Sequence, residues 1–324
     1  MTWKRPSEPK HAHFDCFSGA AGDMLLAACL SASGDAEGLL EHLLERLRDL
    51  LPADEFGIQV QQVIRGTMAG LHVSVSSKYD HEPAPVPTNH AAGDGHSHEH
   101  AHTHGHSHEH SHEHSHGHSH GNAHEHSHGH SHGHSHGHSH GGHHSNGPLR
   151  NLPEIRKLLE DCKSLPDWVR TTAIAVFTKL AYAEASVHGA NSIDTVHFHE
   201  VGAVDSIVDT VGTLLALYEL HCTSFSCSPL PLGSGTVWTA HGLLPVPAPA
   251  TLYLLQDLPV TQGPPCRGEL VTPTGAALLN VLANGSTRPP EMTLQTVGVG
   301  AGTKDFEKHP NILRIMIGTK TKRG

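Results

Sequence analysis

The chain has 324 residues, is 36% apolar, 16% charged and 4% aromatic, and carries a formal net charge of −11 with histidine neutral. No basic stripe is present, which argues against a nucleic-acid partner, and no apolar run approaches the roughly 20 residues of a membrane span. The N-terminus, MTWKRPSEPKHAHFD, lacks the apolar core of a secretory signal, and six scattered cysteines without a C-x-x-C pair read as reduced, packed side chains, so a cytoplasmic protein is expected.

In chain order, His11–Phe17 reads as a strand that turns through Ser18-Gly19-Ala20-Ala21-Gly22-Asp23 into an apolar helix from Met24 to Ala32. A second helix is expected over Ala36–Leu50, with Leu39, Leu40, Leu43, Leu44 and Leu47 on one face. Phe56–Ile64 and Leu71–Ser77 alternate like two strands joined through Arg65–Gly70. Beyond residue 148, helices are expected over Leu152–Cys162, Pro166–Val187 and Ala203–Leu220, with a short strand at Thr195–Phe198 before the last. Thr223–Ser228 is strand-like, Pro229–Pro249 reads as an ordered but irregular surface, and two short helices lie near Ala250–Gln256 and Gly275–Ala283. Strands at Thr293–Val299 and Asn311–Ile317 close the chain. The class is α/β or α+β, a mixed sheet with flanking helices whose strand order is not readable. Residues 11–78 and 149–318 form two α/β segments, expected to pack as one unit around an insertion at 79–148.

That insertion holds most of the histidine: twenty-five of the 36 histidines fall between His90 and His144, typically at every second position. Such a segment has no apolar surface to bury and is expected to be disordered. Imidazole suits nickel, copper and zinc, so His96, His98, His100, His102, His104, His106, His108 and those that follow form a low-affinity metal store without geometric selectivity. The bland alternatives are a solubilising linker or an expression tag; the internal position and the interspersed Glu99, Glu109, Glu113 and Glu125 speak against a tag.

Outside the tract the densest ligand group is His197-Phe198-His199-Glu200, followed by Asp205 and Asp209. On a strand His197 and His199 share a face; on the following helix Val204, Ile207, Val208 and Val211 form the core stripe, and Asp205 and Asp209 stack on its flank. Imidazole and carboxylate would then converge where strand meets helix, a donor set for a divalent metal that must later leave. The plainer reading makes Asp205 a first-turn acid favoured by the helix dipole and the histidines exposed strand residues. A second constellation runs from Asp15 through Ser18, Gly19 and Gly22 to Asp23. Here a helix N-terminus offers backbone N–H groups to an anion, with Asp15 placed to hold a cation beside it; the alternative makes Ser18 or Asp23 a simple N-cap. Ser234 and His241 sit in the Pro- and Gly-rich region and could line a pocket. Thr272 caps the helix that opens at Pro273 and, with Thr274, could hold phosphate. Gly298, Gly300 and Gly302 make a G-x-G-x-G with no following helix, so a dinucleotide fingerprint is not expected.

These stretches together resemble the LarC family of nickel insertion proteins, which serve the nickel-pincer cofactor of lactate racemase. The matching segments are FDCFSGAAGDM at Phe14–Met24, RGTMAGLHV at Arg65–Val73, VHFHEVGAVDSIVD at Val196–Asp209, SPLPLGSGTV at Ser228–Val237, HGLLPVPAPAT at His241–Thr251, GELVTPTGAALL at Gly268–Leu279, and GVGAGTKDF with PNILR near the end. The resemblance implies a nickel-inserting lyase acting on a pyridinium bis-thiocarboxylic acid mononucleotide with consumption of CTP. The cofactors are then nickel and CTP, with magnesium a further candidate. It makes Asp15, Asp23, His199 and Glu200 candidates for the chemistry. Ser18, Gly19, Gly22, Ser234, Thr272 and Thr274 become candidates for holding the precursor, and His197, His199, Glu200, Asp205 and Asp209 for the metal. Full-length relatives carry a further C-terminal domain associated with CTP, so the nucleotide site is expected outside this chain. A separately made second half, or the apo-enzyme that receives the cofactor, is an expected partner. The competing readings are a nickel store acting through the tract alone and a phosphate-ester enzyme with incidental histidines.

The tract generates the first prediction. It binds several nickel ions weakly and reversibly, and because neutral imidazole is the ligand, occupancy collapses as pH falls through about 6. Calorimetric titration with nickel above and below that pH checks it; equal stoichiometry at both overturns it.

Overall fold

Two glycines on one strand set how the layers meet. The computed structural model describes residues 3–79, 150–196, 198, 203–239, 241–264, 268–307 and 309–321. The histidine tract, His197, His199 and Glu200 lie outside the described residues. In chain order the elements are β1 (Lys10–Asp15), α1 (Gly22–Ala32), α2 (Ala36–Leu50), β2 (Phe56–Arg65), β3 (Met68–Ser77), α3 (Leu152–Asp161), α4 (Asp167–His188) and α5 (Val204–Glu219). Then follow β4 (Cys222–Cys227), β5 (Leu230–Leu232), β6 (Thr236–Thr239), β7 (Gly242–Pro245), α6 (Pro249–Leu254), β8 (Val260–Gln262), α7 (Pro273–Ala283), β9 (Met292–Ala301) and β10 (Ile312–Lys320).

Six strands form one mixed sheet in the order β2-β3-β9-β10-β1-β4. The pairs β2–β3, β9–β10 and β10–β1 are antiparallel, whereas β3–β9 and β1–β4 are parallel. Strands from both sides of the tract therefore share a sheet, and the α/β class with a mixed sheet and flanking helices is the one the sequence led us to expect. β5–β8 and β6–β7 form two small sheets.

Helix α1 lies on β9, β3 and β10 and is flanked by α5, α2 and α7. Its apolar side chains Leu25, Leu26 and Leu30 are fully buried. A Cβ on Gly300 would stand 2.0 Å from the Met24 carbonyl oxygen, and one on Gly298 would stand 2.0 Å from that of Ala28. The G-x-G spacing thus serves backbone-to-backbone contact between sheet and helix, not nucleotide binding. On α2 the buried stripe is Leu39, Leu43, Leu47 and Leu50, and Asp35 caps its start by accepting from the Gly38 N–H. The stripe expected on α5 is buried throughout at Val204, Ile207, Val208 and Val211.

The expected short strand at Thr195–Phe198 does not form among its described residues. Thr195 closes a turn onto the Ser192 carbonyl instead, and Val196 and Phe198 are buried as anchors without ladder partners. Their alternation records burial, which a strand and an anchored loop produce alike. Conversely, the region expected to be irregular contains β5, β6 and β7.

Gly300→Ala is expected to destabilise the fold by about 2–3 kcal/mol, because the clash is with helix backbone and no rotamer relieves it. Urea denaturation measures this; a loss below the effect of an average surface substitution would remove the close approach as an explanation of the motif.

Candidate functional site

The loop before α1 is stitched to the segment before α7. Ala20 N–H donates to the Leu270 carbonyl at 3.0 Å, and Thr272 N–H donates to the Ala20 carbonyl at 3.0 Å. Gly19, at φ +117°, and Gly275 permit this, since a Cβ on either would fall within 2.3 Å of a backbone oxygen. Two separate sequence segments, FSGAAGD and ELVTPTG, are thereby held side by side. The N-terminus of α1 comes to lie beside that of α7, and the start of α5 completes the group.

A cavity of about 460 Å³ opens there, lined by Ala21, Gly22, Asp23, Asp205, Ser206, Asp209, Glu269, Thr272–Thr274, Thr303 and, from β3, His72–Val75. That volume suits a small-molecule ligand. Gly22 is required by the geometry: a Cβ on it would lie 2.8 Å from the Asp209 side chain. Four carboxylates line the space, Asp23, Asp205 and Asp209 from two helices and Glu269 from the segment before α7. Asp23 Oδ1 accepts from the Met24 N–H and Asp205 Oδ1 from the Ser206 N–H, both at 2.8 Å. Asp209 Oδ1 is buried and has no hydrogen-bond partner within the described structure. Neither α1 nor α5 has an N-cap side-chain bond, and the first-turn N–H groups of Met24 and Ser206 are held by the Asp23 and Asp205 carboxylates.

The electrostatics follow from this crowding. Burial pushes the Asp23 carboxyl up to about 6, with the Asp205 charge adding to the rise. Burial raises Asp209 well above the usual carboxylate range, and the charges of Asp23 and then Asp205 raise it further. The orphaned oxygen and the mutual repulsion are both relieved by a divalent cation, and an oxygen-rich donor set accepts magnesium as well as nickel. His72 donates to or accepts from Thr303 Oγ1 at 3.2 Å. Burial, then the Arg65 charge, holds its imidazole below the ordinary value, so it stands neutral as a nitrogen donor.

The sequence-derived candidates divide accordingly. Asp23, Asp205, Asp209, Gly22, Thr272 and Thr274 line one cleft, although the sequence placed them in three separate groups. Thr272 Oγ1 caps α7 by accepting from Gly275 N–H at 3.2 Å, and Thr274 Oγ1 bonds Ser206 Oγ at 3.0 Å. Asp15 does not line the cleft; its carboxylate is paired with Arg314 across the β1–β10 ladder. Ser18 is buried and donates to the Pro310 carbonyl at 2.5 Å, and Ser234 accepts from the Gly268 N–H at 2.7 Å through its backbone. His72, Ser206, Glu269 and Thr303 were not singled out as site residues. His72 lies inside the RGTMAGLHV stretch, and its strand position beside Ser74 is the one signal that could have marked it. No cysteine is among the described residues that line the cleft; the described cysteines are free and buried, and burial pushes Cys222 up to about 12 and Cys227 up to about 11.

A family model described as nickel insertion protein matches residues 12–324, and the chain belongs to that family. Relatives whose names end in "nickel insertion protein" include one from Pelobacter propionicus, 39% identical over 94% of this chain and 60% of its own length. One from Geotalea uraniireducens is 38% identical over 95% of this chain and 61% of its own. A third, from Geobacter metallireducens, is 54% identical over 53% of this chain and 43% of its own. The chain thus spans about three fifths of the longer-matching relatives. No solved structure matches it significantly. Among the described residues no helix is long and apolar enough to cross a membrane.

The raised carboxyls give a signed pH prediction. The folded Asp23 holds its proton up to about 6, against 3.8 for an ordinary carboxyl. Its ionisation therefore destabilises the folded state as pH rises through that window. Asp23→Asn keeps the acceptor for Met24 and is expected to stabilise the metal-free protein by about 1–2 kcal/mol at neutral pH. The gain fades as pH falls below the ordinary carboxyl value. Urea denaturation at both pH values decides it; an equal gain at both, or a loss at neutral pH, overturns the assignment.

Proposed function

We propose that the chain handles nickel for insertion into a pyridinium bis-thiocarboxylic acid mononucleotide, in a CTP-dependent reaction, and that metal and precursor meet in the cleft at the starts of α1, α5 and α7. The observation that supports this most is the convergence of Asp23, Asp205 and Asp209, the first and last of them pressed toward protonation by burial and by the neighbouring charges, in a cavity large enough for a mononucleotide head. Nickel is the substrate here. Asp205 and Asp209 hold it through oxygen, with His199 and Glu200 as the further donors that the sequence suggests. Oxygen donors leave more readily than thiolates, and the thiocarboxylate sulfurs, softer than carboxylate, draw the metal onto the precursor.

Forming the nickel–carbon bond releases the ring hydrogen as a proton. Asp23, the helix carboxylate of the cleft not assigned to the metal in this reading, is placed to accept it. The Ser206–Thr274 hydroxyl pair and the start of α7 would face the mononucleotide phosphate. CTP is carried in this reading by the family resemblance and is not assigned to a residue of this chain.

Incubation with nickel, CTP and precursor, read by mass spectrometry for the nickelated product, tests the proposal, with a full-length relative as positive control. Asp205→Ala and Asp209→Ala are expected to abolish product, while deletion of residues 90–144 lowers total bound nickel but leaves insertion intact at saturating metal. The reverse pattern, with insertion dependent on the tract and indifferent to both aspartates, would falsify the reading and favour a nickel store.

A further inference from the structure

A second ligand group stands apart from the cleft. Glu184 and His188 are four residues apart at the C-terminal end of α4, on one face of the helix, with His188 Nε2 3.4 Å from Glu184 Oε2. His241 precedes β7 in the β6–β7 hairpin, and its ring centroid lies 4.8 Å from that of His188 with the planes tilted by 55°. One donor atom from each of the three falls within 4.8 Å of the other two. Among the described residues this is the His, Cys, Asp and Glu group that meets that spacing, and none of its members lines the acidic cleft.

We propose that Glu184, His188 and His241 form an exchangeable binding site for a divalent transition metal, nickel in this protein's setting. Bonds of about 2.0–2.2 Å from three donors to one ion require donor separations of roughly 3–4 Å. The Glu184–His188 distance already lies in that range. His188 and His241 are exposed, so their rings can close the remaining gap by side-chain rotation alone. Two imidazoles and one carboxylate match borderline divalent ions and discriminate against magnesium, which prefers oxygen. Three protein ligands leave positions open to water or to an incoming donor, the arrangement of a site that gives its metal up. Helix α4 is anchored by Val176, Phe177 and Leu180 in the core, so the helical pair has a rigid base while His241 closes the site from a surface hairpin. This metal binding stands independently of the chemistry proposed for the cleft.

The test uses the full chain with nickel chloride alone. Ethoxyformylation by diethyl pyrocarbonate is located by tandem mass spectrometry, so modification at His188 and His241 is read separately from that of the tract. Nickel is expected to protect both residues together, and magnesium neither. Glu184→Gln and His188→Ala should each remove protection at His241, and His241→Ala, a change in a surface loop, should remove it at His188. Asp209→Asn should leave both protected; loss of protection there would make the effect a consequence of the cleft and overturn the site. The proposal also fails if nickel does not slow modification in the unaltered chain, or if His188 stays protected in His241→Ala.

Discussion

The contact that organises the molecule is between backbones: α1 rests on β9 where Gly298 and Gly300 remove the side chains that would hold it off. A helix seated this closely has little freedom to slide or roll, because its carbonyls meet the strand at about van der Waals distance and interiors deform poorly. Its direction then fixes where Gly22 and Asp23 emerge. Asp209 is packed against Gly22 so tightly that α5 must follow α1. The backbone bonds between Ala20 and Leu270–Thr272 bring α7 to the same corner. The site is therefore a consequence of layer packing, not of a flexible loop arranged around a ligand.

That corner carries a cost. Asp23 and Asp209 lie where burial and the charges of neighbouring carboxylates oppose ionisation, and the partial positive ends of three helices compensate only in part. Proteins tolerate such strain where function uses it. A carboxylate that gains more from a cation than from water binds the cation in proportion to what it was denied when empty. The same destabilisation that lifts Asp23 to about 6 in the metal-free cleft gives the cleft its affinity for positive charge, and a bound cation would return the carboxyls toward their ionised form.

Legibility from sequence followed the range of the interaction. Helices with a periodic apolar face, α2 and α5 above all, were readable with their core residues, because burial of a stripe is a local pattern. The strand order was not, since β3–β9 and β1–β4 pair segments separated by most of the chain. Asp205 and Asp209 could be paired because helical spacing stacks them. Asp23 could not be joined to them, since their meeting depends on the seating of α1 on β9. Asp15 shows the converse: its place at a strand end beside a glycine-rich turn suggested a site residue, while its cross-strand partner Arg314 lies 299 positions away. Thr195–Phe198 imitated a strand because a loop pinned by Val196 and Phe198 buries alternate residues too.

The chemistry of nickel transfer sets a final constraint on how such features could work together. Imidazole binds nickel more firmly than carboxylate does, so metal passing from histidine ligands to an aspartate cleft does not move downhill at that step. Only the last step has to be favourable, and sulfur with carbon at the precursor would supply that drive on the reading proposed here. What earlier stations must supply is speed. A three-ligand surface group with open coordination positions exchanges metal without first breaking a closed shell, and an oxygen-lined cleft releases it without losing thiolate bonds. A site of four buried thiolates would hold nickel more tightly and serve insertion worse. The described cysteine side chains are all free and buried, so on the proposed reading a passing metal meets imidazole and carboxylate there.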